Sequence, residues 1–181
     1  MSSPILEFFF ELSSPYSYLA STRLADVAKR TGATVVWKPM VLGAVFKENG
    51  SRAPAQIPNK GRYMLHDLQR WASQYDVPMT MPVAFPIKTI TAHRAILVAE
   101  REQGAEAMVK LSHALFHAYW GEGRNISEPT VFAEVATEAG FDPEALLTGT
   151  QDPAIKDILR QHTDEAIKRG VFGAPTMFVG D

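Results

Sequence analysis

The sequence predicts an α/β fold in which a small sheet, built from the two ends of the chain, is interrupted by a long helical block. Three observations predict it. The apolar run PILEFFFEL at residues 4–12 is closed by Ser13-Ser14-Pro15, the signature of a short buried strand. The first forty residues spell strand, helix, strand, an order that favours a right-handed crossover and a parallel pair. A strand signal then returns only at VFGAPTMFVGD, after a long stretch of helical periodicity.

Each element follows from local chemistry. Pro15 suits a first helical turn, and Tyr18, Leu19, Leu24 and Val27 recur at helical spacing up to a stop at Gly32. The second strand spans residues 33–40, ATVVWKPM. From Val41 to about Pro58 the pattern dissolves into Gly43, Asn49, Gly50, Ser51, Pro54 and Pro58, which is loop chemistry. Helices are expected at residues 63–75, 91–103 and 110–120. Glu128-Pro129, Asp142-Pro143 and Asp152-Pro153 open three more, with Asp142 as a cap, and Gly140 and Gly170 end the first and third of these. The final strand is entered through Ala174-Pro175, a place where cis bonds occur, although the sequence alone leaves that bond undecided. Because the chain reaches Asp181 directly after this strand, further C-terminal residues are expected to be missing.

Composition narrows the function. The chain has 181 residues, 46% hydrophobic and 21% charged, and a formal net charge of −2, so no field gathers nucleic acid or anionic lipid. It contains no cysteine, which excludes disulfides, thiolate metal sites and redox or nucleophilic chemistry on its own sulfur. Any thiol must come from outside. The N-terminus lacks a basic region, and Glu7 breaks its apolar run; it is neither a signal peptide nor a membrane span, and a cytoplasmic location follows by default. His113 and His117 have the four-residue spacing of two metal ligands, but no third ligand or HExxH pattern accompanies them, so no metal is expected. Trp71, Tyr119 and Trp120 read as core residues.

Chemistry concentrates at Ser13-Ser14-Pro15-Tyr16-Ser17, where a buried strand feeds a helix. Ser14 there is either the N-cap alone or a donor to a bound anion or thiolate beside the free N–H groups of the first turn. The stretch FFFELSSPYSYLAS resembles the signature of kappa-class glutathione transferases and 2-hydroxychromene-2-carboxylate isomerases, with Ser14-Pro15-Tyr16-Ser17 standing where disulfide oxidoreductases of the same fold carry Cys-Pro-x-Cys. Further landmarks keep the family's order: Lys38-Pro39 with Leu42-Gly43 and Phe46-Lys47, residues 58–64 and 67–72, Ala92-His93-Arg94-Ala95, Ala118-Tyr119-Trp120, and residues 173–177.

The resemblance implies an α/β thioredoxin-like domain, residues 1–45 and 165–181, with a large all-helical insertion at 46–164. It implies glutathione as cofactor, with Ser14 catalytic through a hydrogen bond to the glutathione sulfur, and Ser51, Lys60, Ala174 and Pro175 also binding glutathione. Ser51 falls where kappa enzymes place an asparagine; serine is shorter and offers one oxygen in place of an amide. Lys47 and Asn59, with Phe85 from a proline-bounded loop, are assigned to an aromatic carboxylate substrate, and the γ-glutamyl contacts would lie beyond Asp181. The implied activity is glutathione-dependent isomerisation of 2-hydroxychromene-2-carboxylate in aromatic hydrocarbon catabolism, by a homodimer. A kappa-class conjugating transferase is one alternative, and a non-catalytic thioredoxin-fold binding module is another.

Overall fold

The computed structural model describes residues 3–180; Met1, Ser2 and Asp181, where the reading of the two termini began and ended, lie outside the described residues. The sheet has three strands, β1 (Ile5–Phe10), β2 (Thr34–Pro39) and β3 (Thr176–Val179), in the order β2-β1-β3. The β1–β2 pair is parallel, as the crossover order predicts, with Phe8 opposite Trp37 and Phe10 opposite Pro39. The β1–β3 pair is antiparallel, with Leu6 opposite Val179 and Phe9 opposite Thr176. The most N-terminal strand is thus central, and the last strand lies beside it.

The two faces of β1 feed separate cores, because successive side chains point to opposite sides. Phe8 and Phe10 stack at 5.3 Å and meet Trp37 edge-on at 5.0 and 5.3 Å. This face continues into the helical block through Phe116, Leu111, Ile96 and Trp120, so strands and inserted helices share one apolar core. Phe9 points the other way, into a small cluster with Met40, Val45, Ala166 and Val171. At its edge Lys38 pairs with Glu7 and Glu165, and Arg169 pairs with the same two carboxylates, tying β1 and β2 to the last helix. Burial opposes ionisation of Glu7, but hydrogen bonds from Lys38 and Arg169 prevail and hold its carboxyl below the usual range.

The expected first helix is two. Helix α1 (Pro15–Ser21) breaks before α2 (Leu24–Thr31), where the Ser21 and Thr22 hydroxyls donate to the Tyr18 and Leu19 carbonyls and compete with the helical ladder. Gly32, at φ 67°, then ends α2 as expected. The segment read as loop from Val41 to Pro58 contains helix α3 (Leu42–Glu48) and a 3-10 turn, Pro54–Gln56. Helix α3 closes in a Schellman turn: Gly50 takes φ 60°, the Ser51 N–H donates to the Phe46 carbonyl at 2.9 Å, and the Gly50 N–H donates to that of Lys47 at 3.3 Å. Asn49-Gly50, counted as loop residues, are the end of that helix.

Helices α4 (Pro58–Tyr75), α5 (Ile90–Gln103), α6 (Ala105–Phe116), α7 (Pro129–Glu138), α8 (Pro143–Gly149) and α9 (Pro153–Lys168) complete the fold. The Asp142 carboxylate accepts from the Glu144 and Ala145 N–H groups, and that of Asp152 from the Ala154 N–H, so both aspartates cap as proposed. The helix expected to run to Trp120 leaves α6 as a π-helical turn, His117–Gly121. That change of pitch buries both Tyr119 and Trp120. Trp71, by contrast, is 44% exposed, because the buried stripe of α4 is Met64, Leu68 and Ala72 and Trp71 lies beside it, against Tyr75 at 5.3 Å.

Candidate active site

Ser14 stands at the carboxyl end of the sheet, where β1 hands the chain to α1. It is 5% exposed, and it caps α1, its Oγ accepting from the Ser17 N–H at 3.2 Å. The same hydroxyl donates to the Ala174 carbonyl at 2.9 Å. Two residues 160 positions apart therefore meet, because β3 lies antiparallel beside β1 and its entry turn falls next to the start of α1. The Ala174–Pro175 peptide, undecided from sequence, is cis; so is Phe85–Pro86.

Ser14 itself lines none of the three clefts around it; its neighbour Ser13 borders one, and Tyr16 and its partner Ala174 border others, and the remaining candidate residues divide among these. The larger, about 560 Å³, is lined by Ser13, Lys47, Ser51 and Phe85 together with Glu11 and the cations Arg52 and Lys88. Phe85 packs edge-on against buried Trp120 at 5.6 Å and presents the rest of its ring to this cleft. The cleft lining combines apolar side chains such as Leu42, Phe46 and Ile87 with the cations Lys47, Arg52 and Lys88 and the Glu11 carboxylate. Asn59 and Lys60 lie elsewhere, in the first turn of α4, lining a shallow cleft with Tyr16, Tyr63 and Met64. Ala174 and Pro175 border a third depression, also with Tyr16 and with Asp67 and Trp71. Tyr16 is common to the last two and is fixed there by donating to Asp67 at 2.8 Å. Burial and the Asp67 bond both push the Tyr16 hydroxyl pKa upward, so it stays a neutral donor.

A family model described as a DSBA-like thioredoxin domain matches residues 5–181. The chain belongs to this family. Among its relatives, 2-hydroxychromene-2-carboxylate isomerase of Sphingobium xenophagum is 35% identical over 178 residues, covering 97% of this chain and 89% of the relative. Glutathione S-transferase kappa 1 of Caenorhabditis elegans is 32% identical over 179 residues, 95% of this chain and 79% of that one. The solved structure of a 2-hydroxychromene-2-carboxylate isomerase superposes with a TM-score of 0.83 at 32% identity, covering 98% of this chain and 86% of that one. The DsbA-like thioredoxin fold and the resemblance read from the sequence are thereby shown.

Within this DsbA-like frame several residues near the site carried no assignment in the sequence reading. Glu11 is 4% exposed, and its position between the apolar Phe10 and Leu12 was the available signal. His93 is fully buried; its Nε2 accepts from the Leu12 N–H at 3.1 Å, so that nitrogen carries no proton. Burial outweighs the pull of Glu11 and lowers the His93 pKa, which agrees with a neutral ring. The Trp120 indole N–H donates to the Leu12 carbonyl at 2.9 Å. Leu12 is thus gripped on both backbone groups, two residues before Ser14. His113 packs edge-on against Trp37 at 5.2 Å and His117 is exposed beside Glu122. Among the described residues no group of three metal-ligating side chains converges, and no helix is long and apolar enough to cross a membrane.

Proposed function

We propose that this protein is a glutathione-dependent isomerase that interconverts 2-hydroxychromene-2-carboxylate and trans-o-hydroxybenzylidenepyruvate. The observation that carries the reading is the Ser14–Ala174 hydrogen bond, in a chain 35% identical to a 2-hydroxychromene-2-carboxylate isomerase. It sets a buried hydroxyl, a helix start and the backbone carbonyl before Pro175 within one hydrogen bond of each other. Those groups fit the cysteinyl part of glutathione. The Ala174 backbone can pair with it as an added strand would, and the Ser14 hydroxyl can turn from the carbonyl to the sulfur.

When bound, glutathione supplies a thiolate that adds to a conjugated carbon of the opened chromene and leaves after rotation about the resulting single bond, so it emerges unchanged. The protein's own part is to hold charge and orientation. Ser14 Oγ donates to the ionised sulfur, and a hydrogen bond to the charged form lowers a thiol pKa. The dipole of α1 acts in the same sense. Lys60, on the Tyr16 side, faces the peptide, while Lys47 holds the substrate carboxylate at the rim of the larger cleft and Phe85 stacks on its aromatic ring; Asn59, assigned to the substrate from the sequence, shares the cleft of Lys60 and not that of Lys47 and Phe85. Ser51 lines the same cleft as Lys47 and Phe85, which supports a role between the two ligands.

Mixing protein, glutathione and the chromene while following the ultraviolet spectrum tests the proposal. A spectral change that depends on glutathione without consuming it is expected, and none would refute it. The kappa-class relative supports one competing activity, conjugation, which the same assay separates because free glutathione would then fall as product forms. The reading extends to a cytoplasmic homodimer serving aromatic hydrocarbon catabolism, and light scattering of the purified protein tests the assembly.

A further inference from the structure

A carboxylate without a cationic partner lies beneath the larger cleft. Glu11 is 4% exposed, and among the described residues no lysine or arginine reaches it. Its nearest ionisable neighbour, His93 at 3.4 Å, uses the facing nitrogen to accept from Leu12 and has no proton there to share. Burying a lone carboxylate is costly, and an apolar side chain of similar size would be the cheaper way to fill the space.

What the carboxylate does receive is three donors from three separate parts of the chain. Its Oε1 accepts from the Ser13 N–H at 3.2 Å, in the turn that carries Ser14. The same oxygen accepts from the Thr89 hydroxyl at the start of α5, directly after the Phe85–Lys88 wall. Its Oε2 accepts from the Leu42 N–H at the start of α3, the helix that carries Lys47 and whose closing turn includes Ser51. Glu11, Ser13, Leu42 and Thr89 all line the cleft. The backbone of Glu11 joins the same arrangement, its carbonyl accepting from the Ser14 N–H at 2.9 Å.

We propose that Glu11 is a positioning residue that holds the three walls of the cleft in register, so that Ser14, Lys47 and Phe85 keep a fixed relation to one another. Both carboxylate oxygens are used, Oε1 by Ser13 and Thr89 and Oε2 by Leu42. A glutamine offers only one acceptor oxygen and turns an N–H toward one of the three donors, leaving that donor unsatisfied. The role in the reaction rests on the function proposed above; the structural tie does not.

The test compares wild type with E11Q, E11A and E11D by amide hydrogen exchange and by steady-state kinetics with glutathione and the chromene. In E11Q, exchange at Ser13 and Leu42 accelerates about tenfold to a hundredfold, while α7 and α8 keep wild-type protection. E11A loosens the same segments further, and E11D, which keeps the charge and both oxygens, restores part of the protection. In activity, kcat falls and KM for the chromene rises at least about tenfold in E11Q, with partial return in E11D. Uniform acceleration across the chain, or unchanged exchange at Ser13 and Leu42, would overturn the tie. Localised loosening with wild-type kcat and KM would overturn the positioning role. An inactive wild type would refute the isomerase reading, while the exchange data would still decide whether Glu11 ties the walls.

Discussion

Replacing Ser14 by alanine separates two roles that the structure superimposes on one hydroxyl. The substitution removes the acceptor for the Ser17 N–H at 3.2 Å and the donor to the Ala174 carbonyl at 2.9 Å, both in a buried setting. Loss of an N-cap costs about 1 kcal/mol, and loss of the second bond about another 1 kcal/mol. For a chain of this size, a total of about 2 kcal/mol lowers the melting temperature by roughly 4–8 °C. The chemical effect is distinct from that loss. A hydrogen bond to a charged group is worth about 1.5–3 kcal/mol, or about 1–2 pKa units for the thiol that receives it. The ionised form is the one stabilised, so removing the donor raises the thiol pKa. Titrating thiolate absorbance with glutathione bound to wild type and to Ser14→Ala, at a temperature where both are folded, measures that shift. Equal thiol pKa values, with glutathione still bound to both proteins, would show that Ser14 is only a cap.

Three further outcomes follow from the geometry. His93 is buried with its pKa lowered by burial, so the unfolded chain takes up a proton near its ordinary value of about 6.5 that the folded chain does not. Stability therefore falls as pH drops below that value, by at most about 1.4 kcal/mol per pH unit from this residue, and denaturation of His93→Gln from pH 7.5 to 5 should show a shallower slope. His113 and His162, also lowered by burial, contribute in the same direction and leave a remaining slope. Phe10→Ala empties a fully buried site flanked by Phe8, Trp37, His93 and Phe116; urea unfolding should show a loss of about 3–5 kcal/mol. Lys47→Ala acts at an exposed rim, where one ion pair contributes up to about 1 kcal/mol; KM for the chromene carboxylate should rise about two- to fivefold, with glutathione affinity unchanged.

The sequence by itself determined the features that depend on short-range chemistry. The apolar run at 4–12, the crossover to residues 33–40 and the Asp-Pro caps at 142–143 and 152–153 each became the element they signalled, because capping, proline geometry and hydrophobic periodicity act within a few residues. The absence of cysteine excluded chemistry on the protein's own sulfur before any fold was known. Helix α3 was missed because Gly50, read as loop chemistry, ends a helix only when the residues before it already pack, here through Val45 in the core beside Phe9. The split after Ser21 had a local signal in the Ser21-Thr22 pair, whose hydroxyls bond carbonyls three residues back, whereas the π-helical turn at His117–Gly121 goes with the burial of Tyr119 and Trp120 in the tertiary core.

The site was legible only in parts. Ser14 could be placed at a helix start, but its meeting with Ala174 depends on β3 lying beside β1, a long-range pairing. Which residues share a cleft was decided the same way: Lys47, Ser51 and Phe85 converge on one side of Ser14, while Asn59 and Lys60 fall on the other with Tyr16. Glu11 shows the difference most sharply. In the sequence it is one of two acids in a mostly apolar run; in the fold its two oxygens collect donors from Ser13, Leu42 and Thr89, a convergence of segments up to 78 residues apart. Local sequence fixes which groups exist and which element carries them, and packing alone fixes which of those groups meet.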